Sequence, residues 1–342
     1  MKRLRLLFIA LVLVAIPLLV GLAYPPAFAF LNGGNPISQS VVPLNTDTGV
    51  PTKVGHVWYV DQINGNDTNS GFSQSAPFAT IGKGLTSATN GAGDIIIVYP
   101  GTYAENLSVT KDYITMIGAI LGGYARPDVV PAAGIALTVS TGRGFTARHM
   151  RFASVDNSDT VLQNTSGFRY EDDVFDGNAL QVTKGNLRIV GGPGGTASEG
   201  KVLNSYIRGG GAAGILFQHR LAIDGGEGST DNEIAHCRFV DNVASDLKSV
   251  VNTNGGGAGI YINLSVHDNQ FMTSGASYKY INFAAGAAGD LAANSCLIAN
   301  NYFADEALTG GTGNQIDLGA QPKAHFAGNF DDIAVVNGTT FN

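Results

Sequence analysis

One six-residue pattern recurs along the second half of the chain and restricts its fold more than any other feature. The copies are ARHMRF ending at Phe152, YEDDVF at Phe175, VLNSYI at Ile207, IAHCRF at Phe239, VHDNQF at Phe271, IANNYF at Phe303 and HFAGNF at Phe330. Their last residues are separated by 23, 32, 32, 32, 32 and 27 positions. A nearly fixed period of this length marks a stack of like units, each too small to bury its own apolar face. Between copies lie short β-prone runs, Gly214 to Phe217, Gly259 to Ile262, Tyr280 to Phe283 and Gln315 to Leu318. No amphipathic helix is visible there, which argues against alternating β and α units.

The hexad also predicts where the chain turns. Its sixth position (Phe175, Ile207, Phe239, Phe271, Phe303) and its first (Val202, Ile234, Val266, Ile298) are both apolar. They have opposite parity, and a straight strand cannot bury both, so a bend lies between them. The third position reads His149, Asp172, Asn204, His236, Asp268 and Asn300 before breaking at Ala327. These residue types are enriched in the left-handed backbone region that a tight corner requires. The hexad is therefore expected to be strand, corner, strand, with this column as a polar ladder at the corner. Strands stacked coil on coil, about 4.8 Å apart, would line up the apolar positions as continuous columns.

Residues 58 to 121 carry a second set of signals: Tyr59-Val60-Asp61, Gly65-Asn66-Asp67-Thr68-Asn69-Ser70-Gly71, Pro77-Phe78-Ala79-Thr80-Ile81, Gly93-Asp94-Ile95-Ile96 and Pro100-Gly101-Thr102-Tyr103-Ala104-Glu105. As a set they resemble the opening of right-handed parallel β-helix proteins of the pectate-lyase-like superfamily, and with the hexads the resemblance covers roughly residues 56 to 340. It implies an all-β, single-stranded right-handed parallel β-helix (a solenoid) with a short N-terminal capping helix around Thr80 to Ala88 and a first coil from Asp94. The scaffold carries lyases, hydrolases, phage tailspikes and adhesins, so it leaves the activity open.

Composition narrows the partners. Of 342 residues 46 are glycine and only 14% are charged, while 44% are hydrophobic, enough for a large core. The net charge is −7, and no basic run is present, which excludes nucleic acid as an expected partner. Lys2, Arg3 and Arg5 precede an uncharged stretch, Leu6 to Ala23, followed by Ala27-Phe28-Ala29. This order reads as a secretory signal, and an apolar run of that length also suits an uncleaved membrane anchor. The expected organisation is a leader or anchor over 1–29, a linker or arm over 30–55, and the β-helix over 56–342. The protein is expected to be exported, secreted or at the cell surface, touching a membrane only through residues 6–23 if they are retained. Cys237 and Cys296 fit neither a disulfide framework nor a metal site and read as small buried hydrophobes.

Several residues that could carry chemistry also have structural roles to fill. Glu171, Asp172, Asp173 and Asp176 form an acidic cluster that suits glycoside hydrolysis, but Asp172 belongs to the corner column. The resemblance implies, for polygalacturonase-like hydrolases, an NTD strand and a GDD-like pair. Here Thr230-Asp231-Asn232 and Glu171-Asp172-Asp173 are fragments in the wrong order. For lyases it implies calcium held by aspartates and an arginine base. Arg208 and Arg238 lie on consecutive coils, but no aspartate set completes a calcium site, and Asp176 stacks at the register of Arg208 where an ion pair would form. Asp173, Asp176, Arg208 and Arg238 thus remain the catalytic candidates. Asp61, Asn64, Asn66, Asp67 and Asn69 suit Asx turns better than a cation site, and His149 and His236 suit corners better than metal ligation. No metal or cofactor is expected, calcium being implied only for a lyase. The fifth hexad position, outward beside the inward sixth, reads Arg151, Val174, Tyr206, Arg238, Gln270 and Tyr302. Tyrosine, arginine and glutamine at coil spacing offer stacking and hydrogen bonding to sugars, flanked by Arg208 and Asp241. The leading reading is an exported glycan-binding or structural module whose partner is a polysaccharide or cell-surface glycan. The alternatives are a polysaccharide lyase or glycoside hydrolase, and a trimeric phage tailspike-like virion protein.

Overall fold

The computed structural model describes residues 55–120, 125–191, 197–209, 211–219, 231–240, 248–254, 264–272, 279–282, 296–303, 316–317, 324–331 and 335–336. Residues 1–54, which hold the expected leader and all but the last residue of the expected linker, lie outside these. Among the described residues, three sheets are built from strands that pair with the strand one coil away. The first sheet runs from Val57–Val60 to Ala324–Ala327, the second from Thr102–Tyr103 to Asn329–Asp331, and the third from Leu107–Val109 to Ile316–Asp317. All pairings are parallel except the closing one, where Val335–Val336 folds back antiparallel on Asn329 and Phe330. Parallel neighbours need a long crossover. Here the crossover is the rest of the coil, and the chain is a right-handed parallel β-helix. That is the architecture the pectate-lyase-like resemblance implies.

Each hexad joins the first sheet to the second. Tyr170↔Val202↔Ile234↔Val266↔Ile298 are in register in the first sheet, and Phe152↔Phe175↔Ile207↔Phe239↔Phe271↔Phe303 in the second. Both columns are buried. The rings of Phe239 and Phe271 lie 4.6 Å apart and those of Phe271 and Phe303 5.1 Å apart, both stacked. Burying each phenylalanine contributes about 1.5–3 kcal/mol relative to exposure. Between the columns, His149, Asp172, Asn204, His236, Asp268 and Asn300 all take left-handed φ, from 51° to 58°. In the last coil the register differs from the repeat read in the sequence. Phe326 pairs with Ile298 and Phe330 with Tyr302, so the unit is FAGNFD and the aromatic Phe330 is in the fifth position, not the sixth. Gly328 (φ 61°), not Ala327, then occupies the corner.

The continuous side-chain ladder lies one position further on, in the fourth. Asn269 Oδ1 accepts from Cys237 N (2.8 Å), Asn301 Oδ1 from Asn269 N (3.1 Å), and Asn329 Oδ1 from Asn301 N (3.0 Å). The Nδ2 groups of Asn269, Asn301 and Asn329 donate to the carbonyls of Ile234, Val266 and Ile298 at 2.9–3.0 Å. All three asparagines are buried. Cys237 fills the same role, its Sγ lying 3.4 Å from Val202 O, and burial pushes its thiol pKa up to about 12. It is a buried free cysteine, whereas the Cys296 side chain lies outside the described residues.

At the N-terminal end, helix α1 (Ile81–Ser87) buries Ile81, Gly84 and Leu85. A Cβ at Gly84 would stand 3.2 Å from methyls of both Val60 and Ile96, so glycine permits the close approach to the first strands. Its ends are held by one coil. Glu105 accepts from Ile81 N and Gly82 N (2.9 and 2.8 Å), while Lys111 Nζ donates to the carbonyls of Leu85, Thr86 and Ala88. Both charges complement the helix dipole. Buried Asp94 accepts from His56 N, Thr89 N and Trp58 Nε1, tying the cap to the first sheet.

In the third sheet the strand after the Phe239 hexad is Lys248–Asn254, and the run 259–262 expected there lies outside the described residues. Replacing ladder Asn301 by alanine should cost about 2–4 kcal/mol, because the buried Asn269 N–H loses its acceptor and Val266 O its donor. Asn300→Gly, at the neighbouring left-handed corner, should change stability by less than about 1 kcal/mol. Denaturant unfolding of the two variants checks both.

Candidate functional site

The outer face of the second sheet brings together side chains scattered over more than a hundred residues. The register places Asp128, Arg151, Val174, Tyr206, Arg238, Gln270 and Tyr302 in one column, and Ala153, Asp176, Arg208, Val240 and Met272 in the next. Alternation sends both columns outward while Phe152, Phe175, Ile207 and Phe239 between them point in.

The strip has two parts. Towards the N-terminus it is an ion-pair chain: Arg151 Nη1 lies 3.1 Å from Asp128 Oδ2, Arg151 Nη2 2.6 Å from Asp176 Oδ2, and Arg208 Nη2 2.9 Å from the same oxygen. Burial disfavours the charge on Arg151, but Asp176 and Asp128 outweigh it and hold the guanidinium pKa above its ordinary value. Further along, two guanidinium groups reach the Tyr206 ring, with Arg208 Cζ 5.7 Å and Arg238 Cζ 5.8 Å from its centroid. Arg238 Nε donates to Met272 Sδ at 3.2 Å. Arg238 and Gln270 are exposed, and Tyr206, Arg208 and Tyr302 half-buried. Asp241 lies outside the described residues.

The acidic cluster does not converge. Asp173 is 1% exposed, occupies the fourth position and accepts from Met150 N at 2.8 Å. As a catalytic candidate it is corrected, since no substrate in solvent can reach it. Asp172 at the corner is held by Arg126, which donates to its carbonyl and its carboxylate (2.7 Å for the latter), and by His149 Nδ1 at 2.5 Å. Glu171 pairs with Arg169 and Arg148 (2.9 and 3.0 Å), and the Arg169 hydrogen bond outweighs burial to lower its pKa. Asp176 faces out, bonded to two arginines. The four carboxylates therefore occupy an ion-pair network, a corner, a ladder and the strip.

The remaining candidates have local partners. His236 meets His267 edge to face at 6.1 Å, and His267 bridges Asp268 Oδ2 (2.7 Å) and Glu233 Oε1 (3.2 Å). In the Asp61 loop, Asp61 accepts from Ile63 N, Asn64 N and Asn64 Nδ2, and Asn66 from Thr68. Asp67 accepts from Ala79 N, Thr80 N and Thr80 Oγ1. Burial opposes the charge on Asp61, but these donors outweigh it and lower its pKa. Asp61 and Asn66 make Asx-turn bonds, whereas Asp67 ties the loop to Ala79 and Thr80 and Asn69 Nδ2 donates to Pro77 O. Among the described residues no group of three or more His, Cys, Asp or Glu side chains is arranged to hold a metal ion. The sequence reading missed the ion pair of Arg188 with the buried Asp159 (3.1 Å) and the fourth-position ladder. The ladder had a visible signal: polar Asn269 and Asn301 recur at a position between two buried columns.

Residues 63–122 match the model of a family described as "Protein of unknown function (DUF1565)". A sequence comparison with curated proteins finds no match. By structure the chain is similar to a carrot pectin methylesterase (11% identity, 84% of this chain and 86% of that one, TM-score 0.41). It is also similar to a rhamnogalacturonan lyase (14%, 80% and 87%, 0.42) and to a GH136 lacto-N-biosidase from Eubacterium ramulus (10%, 80% and 68%, 0.37). The class of the fold rests on the sheet topology above.

Asp176→Ala should destabilise the protein by about 1–2 kcal/mol in dilute buffer, since each of its two pairs is partly solvent-exposed. The difference from wild type should shrink in 1 M salt, where charges are screened within about 3 Å. Paired denaturation curves at low and high salt measure it.

Proposed function

We propose that the chain is an exported β-helix protein that binds glycan along the outer face of its second sheet and does not cleave it. The observation that carries this reading is the half-buried Tyr206 ring with the guanidinium groups of Arg208 and Arg238 beside it, next to exposed Gln270. An aromatic face flanked by planar donors suits a pyranose ring, whose C–H surface stacks and whose hydroxyls accept. The apolar run at residues 6–23 supports export.

The enzyme reading needs two ionisable groups converging on one reacting atom. The strip offers two carboxylates, Asp128 and Asp176, but both are engaged by Arg151 and the second also by Arg208, while Asp173 is buried behind the sheet. This favours a binding module over a lyase or a hydrolase.

The test uses the full chain and a panel of neutral and uronic-acid polysaccharides, with and without calcium. Retardation by at least one glycan in affinity electrophoresis is expected, with Tyr206→Ala and Arg238→Ala each weakening it about five- to thirty-fold, the equivalent of about 1–2 kcal/mol of stacking and hydrogen bonding. Unsaturated-product absorbance and reducing ends should both stay flat. Product formation abolished by Asp176→Ala or Arg238→Ala would instead establish the enzyme reading.

A further inference from the structure

The ladder column contains one residue of the wrong chemistry. Its fourth positions are Met150, Asp173, Ser205, Cys237, Asn269, Asn301 and Asn329. At Asn269, Asn301 and Asn329 one side-chain atom accepts the N–H of the preceding coil and the other donates to that coil's first-position carbonyl. Cys237 makes the second contact through its thiol. Asp173 makes the first through Oδ1, to Met150 N. Its Oδ2 is buried and meets no donor.

The donors around that oxygen are spent elsewhere. Ser205 Oγ donates to Leu203 O (2.8 Å), and Tyr170 Oη to Gln163 Oε1 (2.8 Å). Arg126 is turned to the carbonyl and carboxylate of Asp172, with His149 on the other side of that carboxylate. An ionised Asp173 would leave a charge buried with one orphan oxygen, which costs several kcal/mol. A protonated Asp173 restores the ladder pattern, because Oδ2–H then stands where the asparagine Nδ2 stands. The repeat places the carbonyl of Ala147, partner of Tyr170 in the first sheet, as its acceptor.

We propose that Asp173 is a neutral carboxylic acid in the folded protein at neutral pH, serving as the asparagine of its coil and making the stability of the solenoid fall as the pH rises. The charges facing it agree. Burial acts first to raise its pKa well above the ordinary aspartate range, and the Asp172 charge adds to this. The Met150 and Glu171 amides and the Arg126 charge oppose both and do not prevail. The buried Tyr170 phenol is likewise pushed up.

The sign follows from proton linkage. The folded pKa lies above the unfolded value of about 3.9, so the folded state keeps a proton that the unfolded chain releases. The contribution of Asp173 is therefore greatest below pH 4, declines as the pH rises, and is constant above the folded pKa. Asp173→Asn keeps both ladder bonds and has no proton to lose. Its Tm should match wild type near pH 4 and exceed it by several degrees at pH 8, the gap opening steadily as the pH rises. Independently, the infrared spectrum of wild type at pH 7 should contain a carboxylic-acid C=O stretch that disappears in Asp173→Asn and in Asp173→Ser, the latter copying the Ser205 coil. A Tm gap that does not change with pH, or the absence of that band at pH 7, overturns the proposal.

Discussion

The backbone N–H of the fourth hexad position is the group on which the rest of the solenoid depends. At the third position the amide donates to the following coil, as Asn204 N does to Ala235 O. At the fifth it donates to the preceding coil, as Arg238 N does to Ser205 O. The left-handed corner between them reverses the hydrogen-bonding sense and leaves the intervening N–H facing the core. A buried amide without an acceptor costs about 1–3 kcal/mol, and one such amide arises per coil. The asparagine carbonyl one coil ahead accepts it. That contact fixes the coil-to-coil register, which in turn aligns the phenylalanine column on one side and the aliphatic column on the other.

Because register is fixed from within, the outer face can be read as a linear arrangement with one side chain per coil, about 4.8 Å apart. Asp176 meets both Arg151 and Arg208 because the three share adjacent coils at neighbouring positions. Arg208 and Arg238 both reach the Tyr206 ring for the same reason. These side chains alternate with the buried column and point to the opposite face of the sheet.

How much of this the sequence discloses depends on the intervals. Where the period is 32, the corner residues and the opposition of Asp176 to Arg208 can be counted directly, and the corner φ values and the 2.9 Å pair are found at those positions. Across the interval of 23 the columns can still be counted but their ion pairs cannot, and across the last interval of 28 counting fails. Arg151 with Asp128 and Asp176 went unnoticed, and aromatic Phe330 drew the final unit one residue out of frame because Gly328 stands where Asp or Asn was expected. The recurrence of asparagine at the fourth position was visible, but its chemistry pointed away from burial. Buried polar residues do not signal a core, and Asp173 in a run of acids suggested catalysis. The strand Lys248–Asn254 has a polar sequence and borrows its conformation from the strands it pairs with on either side.

The same ladder separates carboxylates that the sequence presents as one cluster. Corner geometry turns Asp172 outward and Asp173 inward across a single peptide bond, and the next strand turns Asp176 outward again. Neighbours in sequence therefore face three environments, and their chemistry diverges accordingly. Asp172 is clamped by Arg126 and His149, Asp173 is stripped of water, and Asp176 is shared by two arginines. A catalytic pair requires two such groups to converge on one solvent-filled space. A solenoid achieves that by stacking carboxylates at equal register on adjacent coils, where like charges stand within about 5 Å of each other. On this outer strip the register partners of Asp176 are Ala153 and Arg208, so its carboxylate stands beside a guanidinium group and not beside a second carboxylate.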